Sequence, residues 1–250
     1  MKKKMLLICA ALLGAVSIAT AVESANIVGY LKNESTGQFY SAGPTFVKCL
    51  SFTNNFANAQ WRLGDVIAEG MDPYSDTIQF LDPTDATSAI TATYLDANYG
   101  SLKGWWDPGI STRLDNEKFF AFEGFLCNFD SYPIILTYAG EVLTESVEVD
   151  LSGLIYPMVA NALPVNLVLG DITAEGMDPY SDTIQFLFPT DATSDVTATY
   201  LDASYGGLKG WWDPGISTRL DNEPFPAGTA FLGNFNSSTI KMTFPNPLNL

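Results

Sequence analysis

The sequence predicts an all-β protein made of two tandem, near-identical β-sandwich-like domains after a signal peptide. The segments 64–129 and 170–235 align without a gap at an offset of 106 residues, and 53 of the 66 aligned positions are identical. A repeat of this length is a domain rather than a turn of a solenoid. Beyond residue 21, short runs rich in Val, Ile, Thr, Tyr and Phe alternate with Gly, Pro and Asp, which is the pattern of strands joined by turns.

The first 21 residues have the form of a secretory signal peptide. Lys2–Lys4 precede an apolar run from Met5 to Ala19, and Ala19-Thr20-Ala21 is a small-x-small cleavage site. The alternative, a membrane anchor, needs an apolar run of about 18 residues or more. We therefore expect a secreted or cell-surface protein (periplasmic or extracellular), without membrane insertion after processing.

The chain is strongly acidic. It has 12 basic and 28 acidic residues, and loss of three lysines with the signal peptide changes the net charge from −16 to −19. Such a surface repels nucleic acid and anionic membranes, whereas it attracts cations. The sequence has no histidine, which excludes Ser-His and Cys-His catalysis and histidine-ligated metal sites.

The repeat also places the domain boundary. Ile134–Tyr138 aligns with Ile240–Phe244 at the same offset, so the first of these segments is expected to end the first domain. We predict a signal peptide over residues 1–21, domain 1 over 22–139 and domain 2 over 140–250. Because no Gly/Ser-rich linker separates the domains, we expect them to be docked with limited freedom.

The expected strands follow from runs of β-forming residues between turn signals. In domain 1 they are Phe39–Ala42, Val47–Phe52, Thr77–Leu81, Thr91–Tyr94, Leu102–Trp106, Phe119–Asn128 and Ile134–Tyr138. In domain 2 they are Thr183–Leu187, Thr197–Tyr200, Leu208–Trp212, Ala230–Asn234 and Ile240–Phe244. Leu63–Glu69 and Leu169–Glu175 are weak helix candidates, with a single helical turn as the alternative. Asp-Pro pairs at Asp72 and Asp82 predict type I turns, and Asp107–Ile110, with Pro then Gly in the middle, predicts a type II turn.

Short motifs carry a resemblance. Asn26–Tyr30 contains Val-Gly-Tyr, Thr77–Phe80 is Thr-Ile-x-aromatic, Gly104–Asp107 is Gly-Trp-aromatic-Asp, and Phe122–Phe125 contains Glu-Gly-Phe. In this order they resemble a group of uncharacterised secreted bacterial all-β repeat proteins. The resemblance implies a secreted β-repeat protein and supplies no catalytic residues.

Clustered aspartates are candidate calcium ligands, because Ca²⁺ takes six to eight oxygen atoms that acidic turns can supply. The alternative is that these carboxylates bond to backbone amides in their own turns. The spacing does not match an EF-hand loop, and Phe188 replaces Asp82 in the second copy. The candidate ligands are Asp72, Asp76, Asp85, Asp178, Asp182 and Asp191.

Adjacent tryptophans on two predicted strands are candidate ligand-binding residues. Neighbours on a strand point to opposite faces, so one tryptophan of each pair is expected in the core and the other nearer the surface. An exposed indole could stack on a sugar ring, or pack under a loop or against the other domain. The candidate binding residues are Trp105, Trp106, Trp211, Trp212, Tyr94 and Tyr200.

Two cysteines remain after signal-peptide cleavage, and secretion permits a disulfide between them. Cys127 is expected to face the core, and Gly233 replaces it in the second copy. A Cys49–Cys127 bridge and two separately buried thiols are both compatible with the sequence.

These patterns favour a secreted, non-enzymatic structural, adhesive or interaction protein that self-assembles or binds other extracellular proteins. The alternative is a carbohydrate-binding protein that uses exposed tryptophans. A third hypothesis is a glycosidase with Glu117 and Asp107, or Glu223 and Asp213, as its carboxylate pair. No cofactor is required, and calcium is the one candidate ion.

Overall fold

The computed structural model describes residues 28–35, 39–42, 60–120, 122–131, 133–141, 145–187 and 194–245. Over these residues the regular structure consists of antiparallel strands and four short 3₁₀ segments, which confirms the all-β prediction. None of the helical segments in these ranges has the length and apolar composition needed to cross a membrane. The signal peptide and the predicted strand Val47–Phe52 lie outside the described residues.

The described residues of the first half form ten strands. They are β1 (Val28–Glu34), β2 (Phe39–Ala42), β3 (Gln60–Arg62), β4 (Ile67–Glu69), β5 (Thr77–Leu81), β6 (Ser88–Leu95), β7 (Gly104–Trp106), β8 (Lys118–Phe120), β9 (Phe125–Asn128) and β10 (Ile135–Glu141). A five-stranded sheet has the order β2-β9-β5-β6-β7, a three-stranded sheet has the order β1-β10-β4, and β3 pairs with β8.

The second half repeats this arrangement. Its strands are β11 (Val147–Asp150), β12 (Met158–Ala160), β13 (Leu167–Val168), β14 (Thr173–Glu175), β15 (Thr183–Leu187), β16 (Ser194–Leu201), β17 (Gly210–Trp212), β18 (Pro224–Phe225), β19 (Ala230–Asn234) and β20 (Lys241–Phe244). The sheets have the orders β12-β19-β15-β16-β17, β11-β20-β14 and β13-β18. In these orders, each strand of the second half takes the place of the first-half strand whose number is ten lower, so that β11 corresponds to β1 and β20 to β10. The predicted division at residue 139 stays a prediction.

Each half has its own apolar core between its sheets. In the first half, Ile78 and Phe125 of the five-stranded sheet and Leu136 of the three-stranded sheet belong to one buried cluster, which Trp61 of β3 completes. The second half has an equivalent cluster that includes Ile184, Phe231 and Met242. Strands such as Thr77–Leu81 and Phe125–Asn128 bury alternate residues, which is the two-residue period of a strand with one face in the core.

Several element predictions need correction. Phe119–Asn128 is not one strand, because Lys118–Phe120 pairs with β3 whereas Phe125–Asn128 belongs to the five-stranded sheet. The helix candidate Leu63–Glu69 is a single 3₁₀ turn over Leu63–Asp65 followed by β4, and Leu169–Glu175 behaves in the same way. Only Ala68 of Ile67–Glu69 is buried, so the period of this segment is two residues rather than 3.6.

The two halves meet through a reciprocal contact. Ala42 of β2 forms a bridge with Thr229, and Val159 of β12 forms a bridge with Glu123. Thr229 aligns with Glu123 in the repeat. Ala42 and Val159 also hold equivalent positions, because each pairs with the same aligned residue of β9 or β19. The same pair of surfaces is therefore used twice, as in a contact with two-fold symmetry, and such a contact closes on itself.

Candidate functional site

The paired tryptophans occupy different environments. Trp105 is fully buried, and its Nε1 donates a hydrogen bond to the carbonyl oxygen of Val66 at 2.7 Å. Trp106 is half-buried, and its Nε1 donates to the carbonyl oxygen of Leu102 at 2.7 Å. The side-chain alternation of β7 separates the two rings in the way the sequence predicts.

The second half has the same arrangement, with Trp211 buried and Trp212 half-buried. Trp211 Nε1 donates to the carbonyl oxygen of Ile172 at 2.8 Å, and Trp212 Nε1 donates to that of Leu208 at 2.7 Å. Each half therefore presents one indole at its surface, at an equivalent position.

Four of the predicted ligand-binding residues are core residues. Tyr94 and Tyr200 are buried, and their rings meet Trp105 and Trp211 edge-on at 5.1 and 5.0 Å. A ligand outside the protein cannot reach the faces of these four rings, which is a correction to the proposed binding set. Trp106 and Trp212 remain as candidates.

An arginine and an aspartate that the sequence analysis did not select hold each surface tryptophan. The Arg113 guanidinium carbon lies 5.6 Å from the centre of the Trp106 ring, within the range of a cation–π contact. Arg113 Nη2 donates to the carbonyl oxygen of Lys103 at 2.7 Å, and Arg113 Nε donates to Asp115. Asp115 Oδ1 also accepts the backbone N–H of Trp105 at 2.7 Å. The aspartate therefore fixes both the arginine and the strand that carries the indoles.

The second half repeats these contacts with Arg219 and Asp221. Arg219 lies 5.6 Å from the Trp212 ring, and Asp221 Oδ1 accepts the N–H of Trp211 at 2.8 Å. The available signal was the spacing of Trp, Arg and Asp, which is the same in both copies. Sequence alone does not show that the six residues between Trp106 and Arg113 fold back on themselves.

A glycine makes this arrangement possible. Gly104 has a φ of +136°, and a Cβ atom there would lie 2.7 Å from both carboxylate oxygens of Asp115. Gly210 has the same φ and the same close approach to Asp221. The backbone can therefore reach the carboxylate only where no side chain is present.

Exposed apolar side chains adjoin the surface tryptophan. Tyr74, at the Asp72 turn, is 78% exposed, and Tyr99 and Leu102 are 36% and 45% exposed. The last two belong to the 3₁₀ segment Ala97–Leu102, whose start is held by Asp96 Oδ1 accepting the N–H of Asn98 at 2.8 Å. We call Tyr74, Tyr99, Leu102 and Trp106 the aromatic surface of the first half.

The members of the aromatic surface lie close together. Trp106 bonds to the Leu102 carbonyl, and Leu102 shares its 3₁₀ segment with Tyr99. Partial desolvation raises the pKa of the Tyr99 phenol, and Tyr74 and Asp72 raise it further through their charges. Tyr74 therefore lies within electrostatic range of Tyr99 although 25 residues separate them in the chain.

An equivalent aromatic surface occurs on the second half. Tyr180, Tyr205 and Leu208 are 78%, 36% and 48% exposed, and Trp212 is half-buried. All four residues are identical in type to their counterparts 106 positions earlier. The chain thus carries two aromatic surfaces of the same composition.

Asp76 and Asp182, two of the predicted calcium ligands, are buried and accept backbone amides. Asp76 Oδ2 accepts the N–H of Asp72 at 2.7 Å, and Oδ1 accepts the N–H groups of Asp130 and Ser131 at 2.7 and 2.9 Å. Asp182 has equivalent bonds to Asp178, Asn236 and Ser237 at 2.7, 2.6 and 3.0 Å. Both carboxylates tie a turn to the loop after β9 or β19.

The remaining predicted ligands cap local turns. Asp72 and Asp178 accept the N–H of Tyr74 and Tyr180, and Asp85 accepts the N–H of Thr87 at 2.9 Å. Asp191 lies outside the described residues. Among the residues that the structure describes, no group of three or more acidic or cysteine side chains is arranged to hold a metal ion. The calcium site stays a prediction.

Asp107 and Asp213, from the predicted carboxylate pairs, also bond to backbone. Asp107 Oδ1 accepts the N–H groups of Ser111 and Thr112 at 2.6 and 2.7 Å. The Asp107–Ile110 turn is closed by the expected 2.8 Å bond, but Ile110 rather than Gly109 has positive φ, 52°. The type II prediction is therefore wrong. The bonds of the Asp107 carboxylate to residues 111 and 112 place the left-handed residue at Ile110, one position after Gly109. Glu117 is exposed and Glu223 is half-buried.

These bonds predict a pH dependence. Hydrogen bonds from Thr112 and Ser111 lower the pKa of Asp107 below 3.8, and Thr218 and Ser217 act in the same way on Asp213. A lowered folded-state pKa stabilises the fold above the unfolded pKa, and this stabilisation is lost as the pH falls through the folded value.

We therefore expect Asp107→Asn to reduce the free energy of unfolding at neutral pH and to have a smaller effect in acid. Urea unfolding of both proteins at about pH 7 and about pH 2.5 measures the difference. A difference of the same size at both pH values would contradict the assignment.

Cys127 is fully buried on β9, where burial raises the pKa of its thiol. Its expected core position is therefore observed. Cys49 lies outside the described residues, so a Cys49–Cys127 disulfide stays a prediction.

In comparisons with known proteins, no family model, curated protein or solved structure matches this chain.

Proposed function

We propose that this is a secreted, non-enzymatic interaction protein that presents the same aromatic surface twice, and that its partner is a second copy of the chain. The observation that carries the proposal is the recurrence of the aromatic surface, with Tyr74 and Tyr180 each 78% exposed. Large exposed apolar side chains that lie together are typical of interaction sites.

The composition of the aromatic surface supports protein binding. Tyrosine, tryptophan and arginine are the residue types most enriched among those that dominate binding energy at protein interfaces. Arg113 covers Trp106 and Arg219 covers Trp212, so a sugar ring would compete with an arginine for one face of each indole. Protein contact requires no such displacement, since arginine is itself a frequent interface residue.

The reciprocal contact between the two halves limits which surfaces are left for assembly. It uses equivalent positions of both halves reciprocally, and a contact of this kind closes rather than propagates. Because this contact is already used inside each chain, association between chains must come from other surfaces. Two aromatic surfaces per chain supply the valency that growth requires.

The test is light scattering coupled to size exclusion, over a range of chain concentrations up to about 1 mM. Salt of about 0.15 M limits repulsion between the acidic chains, because it shortens the Debye length to about 8 Å. We expect the molar mass to rise with concentration. The double substitution Tyr74→Ser with Tyr99→Ser should lower the molar mass measured at a given concentration. Runs with millimolar calcium show whether bound cations promote assembly further.

A matched control is Ile67→Thr. Ile67 is an exposed apolar residue outside the aromatic surface, and threonine stands at the equivalent position 173. This variant should assemble like the original protein. A monomer at every concentration would overturn self-association.

Carbohydrate binding is the second candidate, because exposed tyrosines beside a half-buried tryptophan can stack on sugar rings. A change in the fluorescence of Trp106 and Trp212 on addition of glycans tests it. If the protein is monomeric and glycans shift the emission, carbohydrate binding replaces self-association as the proposed function.

A further inference from the structure

The aromatic side chains that an oxidant in solution can reach are concentrated on the two aromatic surfaces. The structure describes the side chains of eight tyrosines, and four of these are exposed. The exposed four all belong to the aromatic surfaces, two to each: Tyr74, Tyr99, Tyr180 and Tyr205. Three of the five tryptophans are buried, and the other two, Trp106 and Trp212, belong to the same surfaces. Oxidation of aromatic side chains is therefore directed to these two places.

The sulfur-containing side chains, by contrast, are protected. Cysteine and methionine are common targets of oxidation, and burial shields a sulfur atom from it. Cys127 is fully buried, and burial raises the pKa of its thiol, so that little of the reactive thiolate forms. Beyond residue 21 the chain has four methionines, and all four are buried: Met71, Met158, Met177 and Met242. Among the described residues, tyrosine is therefore the oxidisable side chain that solvent reaches most.

Tyr74 and Tyr180 are the most accessible of the four tyrosines, since each is 78% exposed. The turn that carries Tyr74 is held at two points. Asp72 Oδ1 accepts the N–H of Tyr74 at 3.0 Å, and the buried Asp76 carboxylate ties the same turn to the loop after β9. The second half has the same bonds at the equivalent positions. The backbone is therefore fixed while the phenol ring projects into solvent.

Contact between two aromatic surfaces brings tyrosines of two chains together. Each surface has two exposed tyrosines, so two surfaces in contact place four phenols in one interface. The net charge of −19 that remains after loss of the signal peptide opposes close contact elsewhere between two chains. Tyr99 lies within electrostatic range of Tyr74 in the same half, so coupling of these two rings within one chain is the competing reaction.

We propose that the aromatic surfaces are sites of oxidative cross-linking, at which a dityrosine bond joins Tyr74 or Tyr180 of one chain to an exposed tyrosine of another. The oxidant is hydrogen peroxide, used by a haem peroxidase that acts on the free surface of a monomer or of the end of an assembly. Cross-linking rests on the proposed self-association, because two surfaces must meet before their radicals couple.

The atoms of this reaction balance. Each phenol gives up its hydroxyl hydrogen, as a proton and an electron, and becomes a phenoxyl radical. The two radicals join through the ring carbons next to their oxygen atoms, and the hydrogen on each of these carbons moves to the oxygen, which restores both phenols. The two hydrogen atoms and one hydrogen peroxide give two water molecules. Cross-linking therefore makes a reversible contact permanent.

The test is treatment of the protein with hydrogen peroxide and a haem peroxidase, at a concentration at which light scattering shows association. Gel electrophoresis under denaturing and reducing conditions separates covalent from non-covalent assemblies, and mass spectrometry of proteolytic peptides identifies the linked residues. We expect a ladder of covalent dimers and larger species, with Tyr74 and Tyr180 in the cross-linked peptides. The same treatment well below the association range should leave mainly monomer.

Phenylalanine variants separate cross-linking from association, because phenylalanine keeps the ring and lacks the hydroxyl hydrogen. Tyr180→Phe with Tyr205→Phe should associate like the original protein, but its covalent products should stop at the dimer, since each chain then has one reactive surface. Adding Tyr74→Phe and Tyr99→Phe should abolish the ladder. The matched control is Tyr156→Phe, which removes a half-buried tyrosine outside both aromatic surfaces and should leave the ladder unchanged.

The outcomes distinguish this proposal from the proposed function. If the chains associate but oxidation links only Tyr74 to Tyr99 within a chain, or leaves no covalent ladder, cross-linking is overturned and self-association stands. The same ladder in the variant altered in both halves would also overturn it, because the radicals would then lie elsewhere. A protein that stays monomeric in the scattering experiment overturns self-association, and cross-linking with it.

Discussion

Replacing Asp76 by alanine is expected to lower the free energy of unfolding by about 3 kcal/mol, because three backbone N–H groups lose their acceptor. The carboxylate is fully buried, and it joins the Asp72 turn to residues 130 and 131 at distances of 2.7 to 2.9 Å. Asp76→Asn should cost less, since Oδ1 keeps its two amides. Urea unfolding followed by circular dichroism measures both changes.

Asp85→Ala is the control for this prediction. Asp85 is exposed and caps only the N–H and hydroxyl of Thr87, so a loss of about 1 kcal/mol or less is expected. The same measurement tests the calcium hypothesis. If calcium stabilises the original protein but not Asp76→Ala, then Asp76 is a metal ligand and the structural role is contradicted.

Replacing Trp105 by alanine is expected to cost about 4 kcal/mol, whereas Trp106→Ala should cost about 1 kcal/mol or less. Trp105 is fully buried, packs edge-on against Tyr94 and donates a hydrogen bond to Val66. Its removal leaves a cavity and an unpaired carbonyl oxygen. Trp106 is half-buried, so its removal leaves Arg113 in solvent rather than a void.

Chemical denaturation of the two variants measures this difference, and the pair Trp211→Ala and Trp212→Ala repeats it in the second half. Similar losses for Trp105→Ala and Trp106→Ala would contradict the assignment of one tryptophan to the core and the other to the surface. A large loss for Trp106→Ala alone would mean that the aromatic surface is a structural element of the fold.

Much of the fold could be predicted because its signals are local. The alternation in Thr77–Leu81 and the turn residues around Asp72 act over a few positions, and both predictions agree with the structure. The burial of Trp105 beside a more exposed Trp106 follows from strand geometry alone. The 106-residue offset predicts equivalent positions in the second half, and the strand order there is the same.

The remaining features depend on contacts between distant residues. The sequence suggests Asp76 as a metal ligand because its partners, residues 130 and 131, are more than 50 positions away in the chain. In the break within Phe119–Asn128, residues 122 and 124 form backbone bonds with β12, which belongs to the other half. The exposure of Tyr74 and Tyr99 on one half cannot be predicted from the sequence, because it follows from how the chain folds around them.

The central claim is that each chain carries two equivalent interaction surfaces, and the molar mass of a chain with one of them removed tests it most directly. Tyr180→Ser with Tyr205→Ser leaves only the surface of the first half. Light scattering on this variant should show growth that stops at two chains, while the original protein grows further and a variant altered in both halves stays monomeric. If the one-surface variant forms the same assemblies as the original protein, or if the original protein is itself monomeric, the claim is contradicted.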